Sequence, residues 1–316
     1  VSLFRRYCLC LSIVVSLAGC QNQWEEKIVE LPFFNTLLEK FQALDAKIYQ
    51  FPYLASEEET VKEKKNLFKE LQTLKPVGVL ENEEDPKLLA TVLNQLENGN
   101  YHFILKIKND RLDKNKLFDH LCKNLYGHYY GITLKQVKMY VSSKKLGETK
   151  VLFAFQLHHN YQQDQAVKQW AKDFSSKLAG LPPYMKVRRI HDQIIQMSTY
   201  YQGSSREVDG ISIYSPYAIL KKGTGVCQAY AALFQILCDQ AGIPCLSRTG
   251  TAYQPEQTNS PIAHAWNLVY VNGEWLGIDT TWDDPVDLKN PKHQTLRYDY
   301  FLVDLSATHF PDDTIH

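Results

Sequence analysis

The sequence has no excess of charge of either sign: 35 Lys and Arg balance 35 Asp and Glu. Binding along a phosphate backbone draws on a basic surplus, so nucleic acid is not expected as a partner. Long-range steering of a charged substrate is not expected either. Cysteine is sparse, and seven in 316 residues cannot build a disulfide scaffold. The apolar run near the start, Tyr7 to Ala18, is shorter than the about 20 residues that a bilayer core demands. Internal repeats and low-complexity tracts are missing too. What remains is ordinary globular composition, 44% hydrophobic and 22% charged. The length suits one large domain or two ordinary ones.

The short apolar run has another use. Arg5 and Arg6 precede it, and Leu17-Ala18-Gly19-Cys20 closes it. A charged start, a short apolar stretch and small residues before a cut site describe a secretory leader. The closing tetrapeptide resembles the bacterial lipobox, which implies cleavage after Gly19 and a lipid on Cys20. Residues 1–19 are thus expected to be a lipoprotein-type signal peptide. The protein is then expected outside the cell membrane, lipid-anchored through Cys20. Removing Arg5 and Arg6 leaves 33 bases against 35 acids, a net charge of −2. Four thiols remain: Cys122, Cys227, Cys238 and Cys245. A disulfide between Cys238 and Cys245 stays open.

Residues 20–100 read as a helical region. Leu31, Phe34, Leu37, Leu38 and Phe41 share one helical face, Glu57 to Lys75 carries a thinner stripe, and Asp85-Pro86 starts a further helix. Residues 101–160 read as a small α/β unit, with strands at Tyr101–Ile107, Val137–Val141 and Val151–Leu157 and a helix at Lys116–Leu125. His158 and His159 are adjacent at a strand end and point to opposite faces, so they do not chelate together. Helices follow at Gln162–Leu178 and Met185–Met197, and residues 161–316 are expected to form the last domain.

The chemistry concentrates there. Gly223-Thr224-Gly225-Val226-Cys227-Gln228 lacks the third glycine of a dinucleotide fingerprint and the lysine of a phosphate loop. An apolar helix follows, ended by Gly242. Cys227 therefore stands at a helix N-terminus, where the dipole favours a thiolate, and the glycines suggest an exposed sulfur. His264 lies 37 residues on, just before the hairpin turn Asn272-Gly273. With those two as the turn, paired residues sum to 545. His264 and Asp279 then fall on the same face as diagonal neighbours. A carboxylate that orients an imidazole, which in turn activates a thiol, is the arrangement of nucleophilic acyl chemistry.

Gly225-Val226-Cys227, His264-Ala265-Trp266-Asn267 and Ile278-Asp279-Thr280-Thr281-Trp282-Asp283-Asp284-Pro285 resemble the transglutaminase-like superfamily over roughly residues 185–300. The resemblance implies Cys227 as nucleophile, His264 as general base and acid, and Asp279 as orienter. It implies an α+β, papain-like fold, with the Cys helix packed on an antiparallel sheet. The backbone N–H of Cys227 is one oxyanion donor, and Tyr214, Tyr217 and Trp266 are candidates for the second. Asp283, Asp284 and Asp287 show no EF-hand pattern and read as structural. No cofactor and no metal are expected. The expected reaction is acyl transfer on protein or peptide amides, as Gln–Lys crosslinking or Gln deamidation. The alternatives are a cysteine peptidase on cell-wall or protein amide bonds, and a non-catalytic binding or adhesion module.

Overall fold

The computed structural model describes residues 45–49, 73–109, 111–141, 148–253, 261–284 and 296–312. The leader, Cys20, the stripe from Leu31 to Phe41, most of Glu57–Lys75, and Asp287 lie outside the described residues.

The first sheet contains β1 (Asp45–Tyr49), β2 (Pro76–Leu80), β3 (His102–Ile107), β4 (Leu134–Val141) and β5 (Thr149–Leu157) in the order β1-β4-β5-β3-β2. β5 is buried along most of its length because it is central. Phe103, Phe153 and Phe155 meet there with ring centroids 5.8–6.2 Å apart. Helix α1 (Lys87–Glu97) buries Leu88, Val92 and Leu96, and the Asp85 carboxylate accepts the Lys87 N–H at its start. Helix α2 (Lys114–Leu125) is capped by Asp113 and buries Leu117, Phe118, Leu121 and Leu125. The short α3 (Tyr129–Ile132) leads into β4. One expectation needs correction: residues 20–100 are not wholly helical. Pro-Val-Gly-Val-Leu at 76–80 runs as a strand beside β3, in parallel. Its valines are β-branched and alternate, which suits an edge strand better than a helix.

The second half begins with α4 (Tyr161–Ser176) and α5 (Pro183–Met197). The two-residue strands β6 (Thr199–Tyr200), β7 (Glu207–Val208), β8 (Ile211–Ser212) and β9 (Thr224–Gly225) flank α6 (Pro216–Lys222). Helix α7 (Cys227–Ala241) follows, then β10 (Cys245–Ala252), β11 (Ile262–Val271), β12 (Glu274–Ile278), β13 (Phe301–Val303) and β14 (His309–Pro311). These last five form an antiparallel sheet in the order β13-β12-β11-β10-β14. Nearly every side chain of α7 is buried, because α4, α5 and α6 cover it on one side and β10 and β11 on the other. A helix apolar all round is a core helix. The mixed α/β fold, with the Cys helix on an antiparallel sheet, is the one expected.

A buried amide joins the two halves. Gln235 of α7 donates Nε2–H to the carbonyls of Gly127 (3.0 Å) and Cys245 (2.9 Å), and its Oε1 accepts the Ser247 hydroxyl at 2.7 Å. Gly127 lies between α2 and α3. Burying an amide is tolerable only when its bonds are made. Gln235→Leu removes three buried hydrogen bonds at once, so we expect it to lower unfolding free energy by about 2–4 kcal/mol in urea titration. A loss below about 0.5 kcal/mol would contradict this.

Candidate active site

Cys227 is set by the chain before it. Helix α6 ends at Gly223, whose φ of 63° is left-handed. The chain then pairs with β6, with Thr199 N–H on Gly223 O and Tyr201 N–H on Gly225 O, both 2.9 Å. A Cβ on Gly225 would sit 2.8 Å from the Ala229 Cβ. Glycine therefore lets α7 start flush against this turn, with Cys227 as its first residue. The sulfur is not exposed as the sequence suggested. Cys227 is 7% accessible, and Tyr200 and His264 are among its neighbours.

His264 arrives on β11. The hairpin holds the expected register, from Val271↔Glu274 to Asn267↔Ile278, and Asn272 and Gly273 take φ values of 56° and 95°. Beyond Ile278 the ladder stops and the chain turns. Asp279 N–H bonds Tyr300 O at 3.0 Å. Asp279 Oδ1 accepts the N–H groups of Thr281 (2.9 Å) and Trp282 (3.2 Å). Oδ2 is then aimed at His264 Nε2, 2.6 Å away. Cys227 also acts on His264, raising its basicity, and the Cys227 thiol donates to Gln228 Oε1 at 3.4 Å. The Trp282 ring stacks on His264, with centroids 4.8 Å apart.

His264 is 4% and Asp279 1% exposed, so burial is the largest single influence on each and the charges beside them act against it. Burial alone would lower His264. The Asp279 charge and hydrogen bond, followed by the Cys227 contact, reverse this and push it up to about 10. Burial alone would raise Asp279. The imidazole of His264, with a smaller contribution from His309, holds it well below the usual carboxylate range. The buried pair is therefore charged near neutrality.

The other expected residues are dispersed. The Tyr214 ring faces His158 at 4.7 Å, and Tyr217 sits at the start of α6 with Lys221 over its ring. Trp266 is buried beside His264, 6.4 Å away between ring centroids. Tyr200 was not singled out by sequence, yet it neighbours Cys227, whose thiol and backbone N–H both act on the ionisation of its hydroxyl. Its position depends on the two-residue pairing of β6 with β9, which has no sequence signature. His309 was also missed. Asp283 bonds His191 Nε2 at 3.0 Å and Tyr300 N–H at 3.0 Å, and Asp284 accepts the Tyr230 hydroxyl at 2.6 Å. Both are buried supports of the Asp279 loop. His158 bonds Ser212 and His159 lies near Asp164, so the two diverge. Cys122, Cys227, Cys238 and Cys245 form no disulfide among the described residues. His264, Asp279 and His309 are the one group among the described residues with ligand atoms close enough for a metal, within 4.8 Å. Both Nε2 atoms there are engaged with Asp279 Oδ2.

The charged pair makes stability depend on pH. The Asp279 contribution is complete above its ordinary value of 3.8 and is lost on acidification. The His264 contribution is complete below its ordinary value of 6.5 and is lost as pH rises through about 10. The stability gap between wild type and Asp279→Asn is therefore expected to be widest between these ordinary values. We expect about 3–5 kcal/mol at pH 5, narrowing by pH 10, in urea titrations. A gap that widens between pH 7 and pH 10 would contradict the pairing.

Comparison with known proteins follows the same residues. The model of the transglutaminase-like superfamily matches residues 168–280. The kyphoscoliosis peptidases of Mus musculus and Homo sapiens are each 32% identical over 138 residues, which is 40% of this chain. The match spans about a fifth of the length of those relatives, 21%. The periplasmic domain of TgpA from Pseudomonas aeruginosa is 16% identical over 49% of this chain and 61% of that one, with a TM-score of 0.30. Over residues 168–280, then, the chain matches the transglutaminase-like superfamily.

Proposed function

We propose that the protein is a cysteine-dependent enzyme that forms a thioester with protein or peptide amides and passes the acyl group to an amine. Cys227 Sγ attacks the amide carbonyl. The Cys227 N–H and the Tyr200 hydroxyl receive the developing oxyanion. His264 gives its proton to the departing nitrogen, so the C–N bond breaks as the thioester forms. It then takes a proton from the incoming amine, which attacks the thioester and releases the thiol. Asp279 keeps the imidazole oriented and stabilises its charged form.

The observation that supports transfer over hydrolysis is the enclosure of the pair. Cys227, His264 and Asp279 are all buried, and Trp266, Trp282 and Tyr300 wall the site. A water-poor site favours an amine acceptor over water. The second reading is a peptidase, supported by the 32% identity to proteins named peptidases. The two are separated with a Gln-containing protein and a labelled primary amine. Transfer predicts amine incorporation with ammonia release, and Cys227→Ala should abolish it by about three orders of magnitude or more. New chain ends without incorporated amine would favour the peptidase. Ammonia release without incorporated amine would indicate Gln deamidation, and no product of any kind from wild type would leave a binding module.

We also propose that the enzyme acts outside the cell membrane, anchored by lipid on Cys20, on the strength of Leu17-Ala18-Gly19-Cys20. Among the described residues no helix is long and apolar enough to cross a membrane. Labelled fatty acid should enter the wild-type chain and not Cys20→Ser, and Cys20→Ser should leave the membrane fraction. Equal labelling of both would refute the anchor.

A further inference from the structure

The carboxylate that orients His264 is shared. Asp279 Oδ2 also receives His309 Nε2, at 3.2 Å. His309 is 3% exposed, and Thr308 Oγ1 is 2.8 Å from its Nδ1. With the Nε2 hydrogen directed at Asp279, Nδ1 is left to accept the Thr308 hydroxyl. The ring is fixed by Trp282 at 4.6 Å, Trp266 at 4.9 Å and Tyr300 at 6.1 Å between centroids. Its strand, β14, pairs with β10 through Ala252↔His309 and Gly250↔Pro311. A Cβ on Gly250 would collide with the Phe310 backbone oxygen. The missing side chain at 250 lets β14 come close enough to bring His309 to Asp279. His309 lies beyond residues 168–280, the part matched by the family model.

We propose that His309 is a positioning residue: its Nε2–H holds Asp279 Oδ2 at the angle that meets His264. The proposal rests on the reading of Cys227, His264 and Asp279 given above. The turn of residues 279–282 pins only Oδ1. The 2.6 Å bond to His264 pulls Oδ2 from one side, and without a second donor the carboxylate can twist about that single bond. His309 supplies the opposing bond. It also draws electron density from Oδ2, so the proton shared with His264 stays on the imidazole. The titratable groups that face His309 are Asp279, His264 and Tyr300, and Cys227 is reached through His264.

The test uses alkylation by iodoacetamide, which needs no substrate, on the full chain between pH 5 and 10. Rates at each cysteine are read by mass spectrometry, and folding is read by thermal melting. Wild-type Cys227 is expected to react faster than Cys238. His309→Phe should slow Cys227 about ten- to a hundredfold at pH 7 and much less at pH 10. His309→Gln, whose amide N–H reaches toward Oδ2, should recover most of the rate. If folded His309→Phe reacts like wild type at pH 7, or folded His309→Gln is as slow as His309→Phe, the proposal fails. Should His309→Phe not fold, Thr308→Val carries the test. It frees the ring and should slow Cys227 about three- to tenfold at pH 7, and an unchanged rate overturns the proposal. A wild-type Cys227 no faster than Cys238 would overturn the underlying reading of Cys227 instead.

Discussion

One buried carboxylate organises this molecule. Asp279 is almost wholly out of water, and an unpaired carboxylate there would be untenable. It survives because four N–H groups converge on two oxygens: two from its own turn and two from imidazoles. Each donor constrains a different part of the fold. The Thr281 and Trp282 amides require the chain to turn at the end of β12. The His264 donor requires the β11–β12 hairpin to keep its register. The His309 donor requires β14 to lie along β10, which the missing side chain at Gly250 permits. The ion pair thus acts as a structural tie and as an orienting device at once.

The loop that carries Asp279 is secured the same way a few residues later. Asp283 reaches His191 of α5, whose other ring nitrogen faces Asp192, and Tyr298 closes onto Asp192. Asp284 reaches Tyr230 of α7, and burial holds it up to about 6. These acids are spaced along one turn, so they bind two different helices. α7 also carries Cys227. The nucleophile and its orienter are therefore held through α7 as well as through the sheet, which limits drift between them.

Most of the site was legible in the sequence because its signals were local. Asn272-Gly273 accepts positive φ at both positions, and that choice alone sets the pairing sum of 545 that the structure keeps to Ile278. The apolar run after Gly225 marked α7, and Gly242, at φ 71°, ended it. What was not legible depends on distant pairing. His309 sits 30 residues from Asp279, on a three-residue strand with no periodic pattern to announce it. Tyr200 depends on a two-residue parallel pairing. Residues 76–80 read as part of a helical region because the charge-rich stretch before them dominates any window. Their strand character appears only once β3 offers an edge. The inference of an exposed sulfur failed for a related reason: glycines show that the backbone can turn, not what closes over the turn.

The contrast among the cysteines shows what a fold adds to a residue type. Cys238 and Cys245 lie at the end of α7 and the start of β10, both in the core. Burial pushes the Cys245 thiol well up, and its neighbour Cys238 adds to the effect. Asn267 offsets this only in part, so this pair behaves as small apolar filling. Cys227 is nearly as buried, yet it sits on the positive end of α7 and within reach of an imidazole that Asp279 keeps charged. Burial is common to all three and cannot be what distinguishes them. The distinguishing feature is the direction of the local field. That field comes from the start of α7 and from an imidazole kept charged by a carboxylate 52 residues further along the chain (279 − 227), delivered by the hairpin and locked by its turn.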